Sequence, residues 1–518
     1  MTMIGHYWVT IEKDRCRSWQ QPWKCGACLE ACEHGVFERD AYGRVYVANE
    51  LACVGCKICM ERACPNNSIY VRPTTPETLS RGVWTTQTIE EIHAKAETGE
   101  YELRGFGTMG LLPHFDGLTI VPSQLAGNPP RDKYREHFDM DVVIGERTCS
   151  RPIHLRLPFV FAAMSYGAIS KEGKMAFAAA AARLGTLANT GEGGMFPGEA
   201  AIAHGYDSTR AAKKAVRRWE PGGYLAVQWS TGRWGVSLDY LQASDAIEIK
   251  IGQGAKPGMG GHLLGKKVTP DVAKVRGIPV GTDALSPCRH YDAPQGKDLK
   301  TQVDILRDVT AYEKPILFKL GPARPYQDAY IAADAGADAI SIDGMAGGTG
   351  ASPDVVTQNA GIPTIACIRQ AAKALRDMGL KDRVKLIALG GMRNGADAYK
   401  AIALGADAIG FGSAAQIALG CRSCMSCHKG GCHYGLATQD ARFRSCIDVE
   451  SASLRLANFV TACAEELKIL AMLSGHSSLR TISIEDLRAI DLNTSAITGA
   501  RMAGLERPFP EAWENFDR

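Results

Sequence analysis

The chain has 518 residues, of which 45% are apolar and 22% are charged; this balance is typical of a globular protein of two to four domains and excludes a mainly disordered chain. The net charge of +3 gives no electrostatic case for a nucleic-acid partner. No apolar run reaches the roughly 18 residues of a membrane span, and residues 1–8 contain no signal-peptide core, so we expect a cytoplasmic protein that does not bind membranes. The 17 cysteines, an odd number without a secretion signal, favour metal sites over a disulfide framework.

Eight cysteines near the N-terminus fall into two groups of four. One group has the ferredoxin spacing C-x2-C-x2-C-x4-C-P, with one extra residue before the last cysteine: Cys53, Cys56, Cys59 and Cys64. We interpret the other group as the same motif with an insertion after its first member: Cys16, Cys25, Cys28 and Cys32. The last cysteine of such a run binds the other cluster. We therefore predict two crossed [4Fe–4S] sites, one held by Cys16, Cys25, Cys28 and Cys64 and the other by Cys53, Cys56, Cys59 and Cys32.

This cysteine-rich segment predicts a small α+β ferredoxin-like domain over residues 1–75. Paired C-x2-C motifs also suit tetrahedral zinc, which is the alternative for these cysteines. Residues 76–157 are predicted as a linker and lead-in segment, with a helix over 89–99 and no assigned function.

A repeated rhythm of a short apolar run, a glycine-rich turn and an alanine-rich helix begins at about residue 158. We predict eight strands, within 158–165, 186–194, 224–228, 246–254, 316–321, 339–344, 386–391 and 408–413. Strands that alternate with helices are typical of a parallel α/β fold, and eight of them favour a (β/α)8 barrel over residues 158–420. Residues 255–315 are too long for one connection, so we expect an excursion over the barrel mouth.

Glycine clusters follow the last three predicted strands. Loops at the carboxyl ends of strands seven and eight of many barrels bind phosphate on backbone N–H groups, and glycine lets the backbone approach closely. The clusters contain Gly347, Gly348, Thr349, Gly390, Gly391, Gly410, Gly412 and Ser413. They predict a phosphorylated cofactor, and iron–sulfur clusters on the same chain favour a flavin, which links one-electron supply to two-electron chemistry. FMN suits a terminal-phosphate site of this kind.

Several blocks of this region resemble the FMN-binding domain of glutamate synthases, in the order of that family. They are AMSYGAIS (163–170), NTGEGG (189–194), GQGAKPGMGG (252–261), ALSPCRHYD (284–292), GGTGASP (347–353) and GFGS (410–413). The layout, with a ferredoxin-like module before the barrel, is similar to the short, archaeal-type members. The resemblance implies reductive amination of 2-oxoglutarate through 2-iminoglutarate to L-glutamate, with electrons passed through iron–sulfur clusters to FMN.

The resemblance also implies roles for individual residues. Lys256 and Arg276 are expected to hold the substrate carboxylates, and Glu192 to orient ammonia or move a proton. His262 stands at a substrate-side position where the long-chain enzymes have glutamine; the alternative is a structural hydrogen bond. Four further residues are expected at the flavin: Met164, Ser165, Gln228 and Lys319.

A third group of cysteines follows the barrel. In the family, the spacing of Cys421, Cys427 and Cys432 holds a [3Fe–4S] cluster, while the additional Cys424 leaves a [4Fe–4S] cluster open. We predict that residues 421–480 form this cluster loop and a following helix, and that 481–518 form a C-terminal tail.

The family's amidotransferase and β-helix domains have no counterpart in this sequence. We therefore expect separate subunits for these functions, or the use of free ammonia, and an electron donor that is either ferredoxin or an NAD(P)H-oxidising flavoprotein subunit. Two alternative functions remain open at this point: an N-methylglutamate synthase subunit, and a non-catalytic flavin and iron–sulfur relay.

Overall fold

The computed structural model describes residues 7–73, 98–206, 221–294 and 298–505, together with positions 88, 91, 92, 95, 96 and 296. Eight parallel strands form one sheet, in which the second to the eighth strand follow in chain order and the first pairs with the eighth. Their bounds are Phe159–Phe161, Leu187–Asn189, Tyr224–Trp229, Ala246–Lys250, Ile316–Leu320, Ala339–Asp343, Lys385–Leu389 and Ala408–Phe411. Each coincides with one predicted apolar run, and the predicted (β/α)8 class is confirmed.

The barrel is held together by a continuous apolar interior. All five residues are buried in the fourth, fifth and sixth strands, as expected where helices cover a parallel sheet. The rings of Phe159 and Phe411 stack at 5.2 Å between the first and eighth strands. Between the first and second strands, the Thr186 hydroxyl donates to the carbonyl of Phe159, which brings the two ends of the sheet together.

Helices cover the outside of the barrel. The helix Lys171–Leu184 begins after Ser170, whose side chain accepts from the N–H of Gly173, and ends at Gly185 in the left-handed region. Its alanine-rich face packs against the long helix Val449–Leu473. The other helices are Glu199–Ala203, Leu238–Gln242, Pro270–Arg276, Asp298–Val309, Pro325–Asp334, Asp354–Asn359, Thr364–Asp377, Gly395–Ala403, Ser413–Ala418, Ala441–Arg444 and Leu492–Thr498.

The predicted excursion between the fourth and fifth strands has two parts. Its first part contains the antiparallel strands His262–Leu263 and Ala284–Leu285 and the helix Pro270–Arg276. Its second part is the helix Asp298–Val309, an ordinary crossover that returns the chain to the barrel. Only the first part therefore contributes to the mouth of the barrel.

The N-terminal segment has its own small core. Strand Tyr7–Ile11 pairs with Ile69–Pro73, and Phe37–Arg39 pairs with Val45–Val47, both antiparallel. Two short helices, Arg17–Gln20 and Ala27–Ala31, carry cysteines of the first group at or near their ends. Beside Cys28 and Cys59, six apolar residues form this core: Val9, Val36, Phe37, Val45, Ile69 and Val71. So little apolar surface suits a fold that depends on bound clusters.

The lead-in segment is built into the barrel domain by strand pairing. Leu103–Phe106 pairs with Thr349–Pro353, and Leu118–Ile120 pairs with Leu487–Ala489 of the predicted tail. A third pair joins Val142–Ile144 to Ile153–Leu155. Within the predicted helix over 89–99, the described positions 91, 92, 95, 96 and 98 are helical, and the positions between them lie outside the described residues. Among the helices of the described ranges, none combines the length and apolar character that crossing a membrane requires.

Candidate active site

A large cavity opens at the carboxyl ends of the barrel strands. Its empty volume is about 1190 Å³ including the opening to solvent. Fifteen of the sixteen residues predicted for catalysis or cofactor binding line it: Met164, Ser165, Glu192, Gln228, Lys256, His262, Lys319, Gly347, Gly348, Thr349, Gly390, Gly391, Gly410, Gly412 and Ser413. The exception is Arg276. The structure thus brings the predicted residues together, whereas their individual roles remain predictions.

The glycine loops meet closely at one side of this cavity. A Cβ atom at Gly347 would lie 2.4 Å from the carboxylate of Asp343, and one at Gly348 would lie 2.7 Å from the hydroxyl of Ser413. Gly390 and Gly391 have φ values of 98° and 77°, which L side chains rarely adopt. Side chains are therefore excluded here, and the exposed backbone fits a phosphate group of the kind that FMN carries.

Glu192 is the centre of a charged cluster in the cavity. Its carboxylate lies 3.1 Å from Nζ of Lys250 and accepts a hydrogen bond of 3.0 Å from the hydroxyl of Ser286. Burial raises the pKa of Glu192, but the charges of Lys250, Arg276 and Lys256 together outweigh it and hold the pKa below its usual range. Glu192 is therefore an ionised hydrogen-bond acceptor at neutral pH.

Lys256 lies deeper than the other cations of the cluster. Its side chain is 1% exposed, and Nζ donates to the carbonyl of Ala351 at 2.6 Å. Burial and the neighbouring Lys250 lower the pKa of Lys256 to about 8, although Glu192 opposes the shift. A lysine with one carbonyl partner keeps two further donor positions for an anionic ligand.

Arg276 differs from its predicted position. It does not line the cavity, because its guanidinium lies behind Gly193, where a Cβ atom would be 2.5 Å from Cζ. One nitrogen donates to the carbonyl of Tyr166 at 3.1 Å, while Nε is buried without a partner in the described structure. In the described structure, Arg276 acts electrostatically on the charge of Glu192, and its expected role at a substrate carboxylate stays a prediction.

His262 lies at the rim of the cavity with an acidic partner. Its Nε2 is 3.1 Å from the carboxylate of Asp283, which also accepts from the N–H of Gly265 at 2.6 Å. These contacts anchor the antiparallel strand pair of the excursion to the mouth. Both a ligand contact and a structural role are compatible with this position.

Two buried pairs form the floor of the cavity. The amide of Gln228 donates to Glu248 at 2.7 Å, so its side chain is held within the barrel interior. Nζ of Lys319 lies 3.5 Å from the carboxylate of Asp343. Lys319 therefore presents a positive charge at the end of the fifth strand, partly balanced by its neighbour.

The cysteines gather at three places. The first four-cysteine set of the crossed pattern lines one small cavity: Cys16, Cys25, Cys28 and Cys64. In the second set, Cys32 acts electrostatically on Cys53, Cys56 and Cys59, and burial together with such neighbouring thiols raises the pKa of Cys56 to about 12. The third cavity is lined by Cys421, Cys424, Cys427 and Cys432. Metal binding at all three remains a prediction.

Comparisons with known proteins agree with this architecture. A family profile described as "Conserved region in glutamate synthase" matches residues 125–477. A curated "Archaeal-type glutamate synthase [NADPH]" from Thermotoga sp. (strain RQ2) is 37% identical over 95% of this chain and 96% of its own length. The chain belongs to the glutamate synthase family. A "Glutamate synthase large subunit-like protein" from Rhizobium meliloti (strain 1021) is 39% identical, over 84% of this chain and 97% of its own.

The family also includes much longer chains. The "Ferredoxin-dependent glutamate synthase, chloroplastic" of Spinacia oleracea is 38% identical over 61% of this chain, but this match covers only 20% of the spinach protein. The match thus spans 320 residues, about a fifth of the spinach protein.

Lys250, Phe106 and Ser286 were not among the residues predicted for catalysis or cofactor binding; Lys250 and Phe106 line the cavity of this glutamate synthase, and Ser286 contacts Glu192. Lys250 ends the fourth strand run, and that strand-end position was the only available signal for it. Ser286 and Phe106 reach the site through non-local contacts with Glu192 and Thr349. Phe106 has φ of 75°, a left-handed conformation that is uncommon for a bulky side chain and concentrates at functional sites.

Proposed function

We propose that this chain is the synthase subunit that makes L-glutamate from 2-oxoglutarate and ammonia. Ammonia condenses with the 2-oxo group and releases water, which gives 2-iminoglutarate. Two electrons and two protons then reduce the C=N bond to the amine. This reaction needs a site for a dianion, a group that handles ammonia, and a supply of electrons.

The charge balance around Glu192 is the observation that carries the proposal. Lys250, Lys256 and Arg276 surround one ionised carboxylate, so the cluster has two positive charges in excess. 2-Oxoglutarate carries two carboxylates, which complement this excess. Because the cluster is largely removed from water, its electrostatic interactions are stronger than those at the surface. We therefore assign the substrate carboxylates to Lys250 and Lys256, with Arg276 behind them.

Glu192 is suited to the ammonia step. An ionised carboxylate accepts N–H hydrogen bonds and can orient neutral ammonia toward the 2-oxo carbon; its lowered pKa makes it too weak a base to deprotonate ammonium. The hydrogen bond from Ser286 and the ion pair with Lys250 fix the orientation of Glu192 before substrate binds. Arg276 keeps the pKa of Glu192 low, so that the carboxylate is available at neutral pH.

FMN fits the opposite side of the cavity. The side-chain-free loops around Gly348, Gly391 and Gly412 are suited to its phosphate, and Met164 and Ser165 to the ring system. When bound, FMN accepts single electrons and delivers hydride to carbon. Lys319 offers positive charge, and Gln228 offers a polar group, at the ends of the strands beneath.

We infer that the electrons arrive through iron–sulfur clusters held by the three cysteine groups. The relative named for ferredoxin supports a protein electron donor, and the relative named for NADPH fits an NADPH-oxidising flavoprotein subunit. A separate subunit that releases ammonia from glutamine, and one that corresponds to the β-helix domain, complete the assembly. We expect the complex to work in the cytoplasm.

The test is an anaerobic assay of the purified chain with a chemical reductant. We expect glutamate to form from 2-oxoglutarate and ammonia, with FMN, iron and acid-labile sulfide present in the purified chain. Absence of ammonia-dependent glutamate would contradict the proposal, and product formed only with methylamine would favour the N-methylglutamate alternative.

Matched variants test the substrate site in the same assay. Lys250→Met removes one cation that lines the cavity, so we expect a higher KM for 2-oxoglutarate with FMN retained. Lys300→Met removes a lysine that is 65% exposed and should leave the kinetics unchanged. Equal effects of both substitutions would contradict the assignment of Lys250.

A further inference from the structure

The third cysteine group contains one thiol more than a [3Fe–4S] cluster needs. Cys421, Cys424, Cys427 and Cys432 all line one cavity beside the barrel. Cys424 is not at the edge of this group, because its thiol interacts electrostatically with Cys421, Cys427 and Cys432. The position of Cys424 therefore requires an explanation.

The spacing of this group occurs twice in the chain. Residues 421–432 read CRSCMSCHKGGC and residues 53–64 read CVGCKICMERAC, and both have the pattern C-x2-C-x2-C-x4-C. In the ferredoxin-like segment, the first three of these cysteines are predicted to bind three irons of one cubane. By position, Cys424 corresponds to Cys56.

The backbone repeats as well as the spacing. Cys56 stands between Gly55 and Lys57, with φ of 69° and 58°. Cys424 stands between Ser423 and Met425, with φ of 56° and 59°. Left-handed conformations are uncommon for residues other than glycine, and two of them around one cysteine define a specific turn.

The hydrogen bonds to sulfur follow the same pattern. The N–H of Gly55 donates to the thiol of Cys53, and the N–H of Ile58 to that of Cys56. In the third group, the N–H of Ser423 donates to Cys421 at 3.3 Å. The N–H of Ser426 likewise donates to Cys424. Hydrogen bonds of this kind to the sulfurs are typical of iron–sulfur sites, where they tune the reduction potential.

The loop is held in this conformation from the barrel side. The N–H of Gly105 donates to the carbonyl of Met425 at 2.8 Å, and a Cβ atom at Gly105 would lie 2.7 Å from Cβ of Cys427. The hydroxyl of Ser426 donates to the carbonyl of Cys424 at 3.2 Å. The turn around Cys424 is thus part of the packed structure.

We propose that residues 421–427 form a ferredoxin-type cluster loop and that Cys424 is the fourth ligand of a [4Fe–4S] cluster at this site. The inference rests on the proposed iron–sulfur assignment and specifies its third cluster. The thiol of Cys424 gives its proton to solvent, and the thiolate binds the fourth iron; no electron is exchanged in this step. The other three irons are bound by Cys421, Cys427 and Cys432.

This ligand also lies toward the second ferredoxin-like site. Cys56 lines the same cavity as the third group, and Cys424 is the first neighbouring thiol that acts on the charge of Cys56. On the opposite side, Cys427 lines the main cavity of the barrel. A four-iron cluster would thus have one ligand toward each electron partner.

The experiment counts iron and records electron paramagnetic resonance spectra on the anaerobically purified whole chain. An oxidised [3Fe–4S] cluster is paramagnetic, whereas an oxidised [4Fe–4S] cluster is silent. We expect twelve irons per chain and no [3Fe–4S] signal in the fresh protein. Cys424→Ala should lose one iron and gain the [3Fe–4S] signal, and Cys446→Ala, which removes an exposed thiol, should change neither.

The outcomes separate this inference from the proposed function. Eleven irons with a [3Fe–4S] signal in the fresh unsubstituted chain would overturn the role of Cys424 and leave the proposed function intact. An unchanged spectrum and iron content in Cys424→Ala would also overturn it. Absence of iron, or zinc in its place, would contradict the iron–sulfur assignment itself. The spectrum of the unsubstituted chain decides the question even if Cys424→Ala fails to fold.

Discussion

Burial and a few neighbouring charges shift the pKa values of individual residues in the candidate site. Glu192 and Lys256 were predicted through the resemblance of their motifs, NTGEGG and GQGAKPGMGG, to the glutamate synthase family. The position of Arg276 behind Gly193 was not predictable, since it depends on how the excursion packs against the second strand. The role of Lys250 likewise emerges only from its 3.1 Å contact with Glu192.

The pKa of Lys256 predicts a pH limit for substrate binding. Lysine is charged below its pKa, and burial lowers this pKa to about 8, so the charge that attracts a carboxylate is lost above that pH. We expect kcat/KM for 2-oxoglutarate at saturating ammonia to fall as the pH rises through about 8, because this ratio reports the free enzyme. The measurement is a pH profile of the chain and of Lys256→Met, with Lys300→Met as the control.

The substituted chain should have a lower kcat/KM throughout and should lack this descending limb. A Lys256→Met profile that keeps the limb would assign it to another group.

At the scale of elements, the prediction succeeded where the signal is local. The helix Lys171–Leu184 has local signals at both ends, because Ser170 caps its start and Gly185 ends it. The pairing of Leu103–Phe106 with Thr349–Pro353 was missed, because the two strands are distant in sequence and neither shows a strong alternation. That pairing brings Phe106 to the cavity. Because the strand pairing was not predicted, Phe106 was also missing from the predicted site.

A buried ion pair fixes the loops after the first two barrel strands. Lys174 is 2% exposed; its Nζ lies 2.7 Å from the carboxylate of Glu199 and donates to the carbonyls of Met164 and Thr190, both at 2.8 Å. Burial lowers the pKa of Lys174, and Glu199 opposes the shift. The helix Lys171–Leu184 thereby positions a residue expected to contact the flavin.

Removal of this cation should destabilise the barrel. Lys174→Met leaves the carboxylate of Glu199 buried and uncompensated, a change that typically costs about 3–5 kcal/mol. Chemical denaturation followed by circular dichroism measures the shift of the unfolding midpoint. The double variant Lys174→Met/Glu199→Leu should recover much of the loss, whereas removal of the exposed partner in Lys300→Met should cost less than about 1 kcal/mol. A double variant less stable than Lys174→Met would contradict this account.

In the whole molecule, the three cysteine sites and the barrel cavity follow one another in space, each next to the following one. The first two sites are neighbours, because Cys28 acts on the charge of Cys59. Cys56 belongs to the second site and also lines the third, and Cys427 belongs to the third and also lines the barrel cavity. Tyr434 joins the two domains at this point, since its hydroxyl donates to the carbonyl of Cys56 at 2.9 Å.

This order predicts where electrons enter. The small cavity lined by Cys16, Cys25, Cys28 and Cys64 shares no lining residue with the third cavity or the barrel cavity within the described ranges, so it is the distal site. We expect Cys25→Ser to abolish glutamate formation with a protein donor. Turnover with a small chemical reductant should persist, because such a reductant can reach the later sites.

The comparison of the two reductants separates electron entry from catalysis. Cys446→Ser removes an exposed thiol outside the three cysteine groups and should leave both activities unchanged. Iron content checks the fold, since loss of the distal cluster alone removes four irons and leaves the remaining clusters in place. If the protein donor still drives turnover in Cys25→Ser after those irons are lost, electrons enter at a later site. The distal cluster would then stabilise the N-terminal domain without transferring electrons to the flavin, which agrees with the small apolar core of that domain.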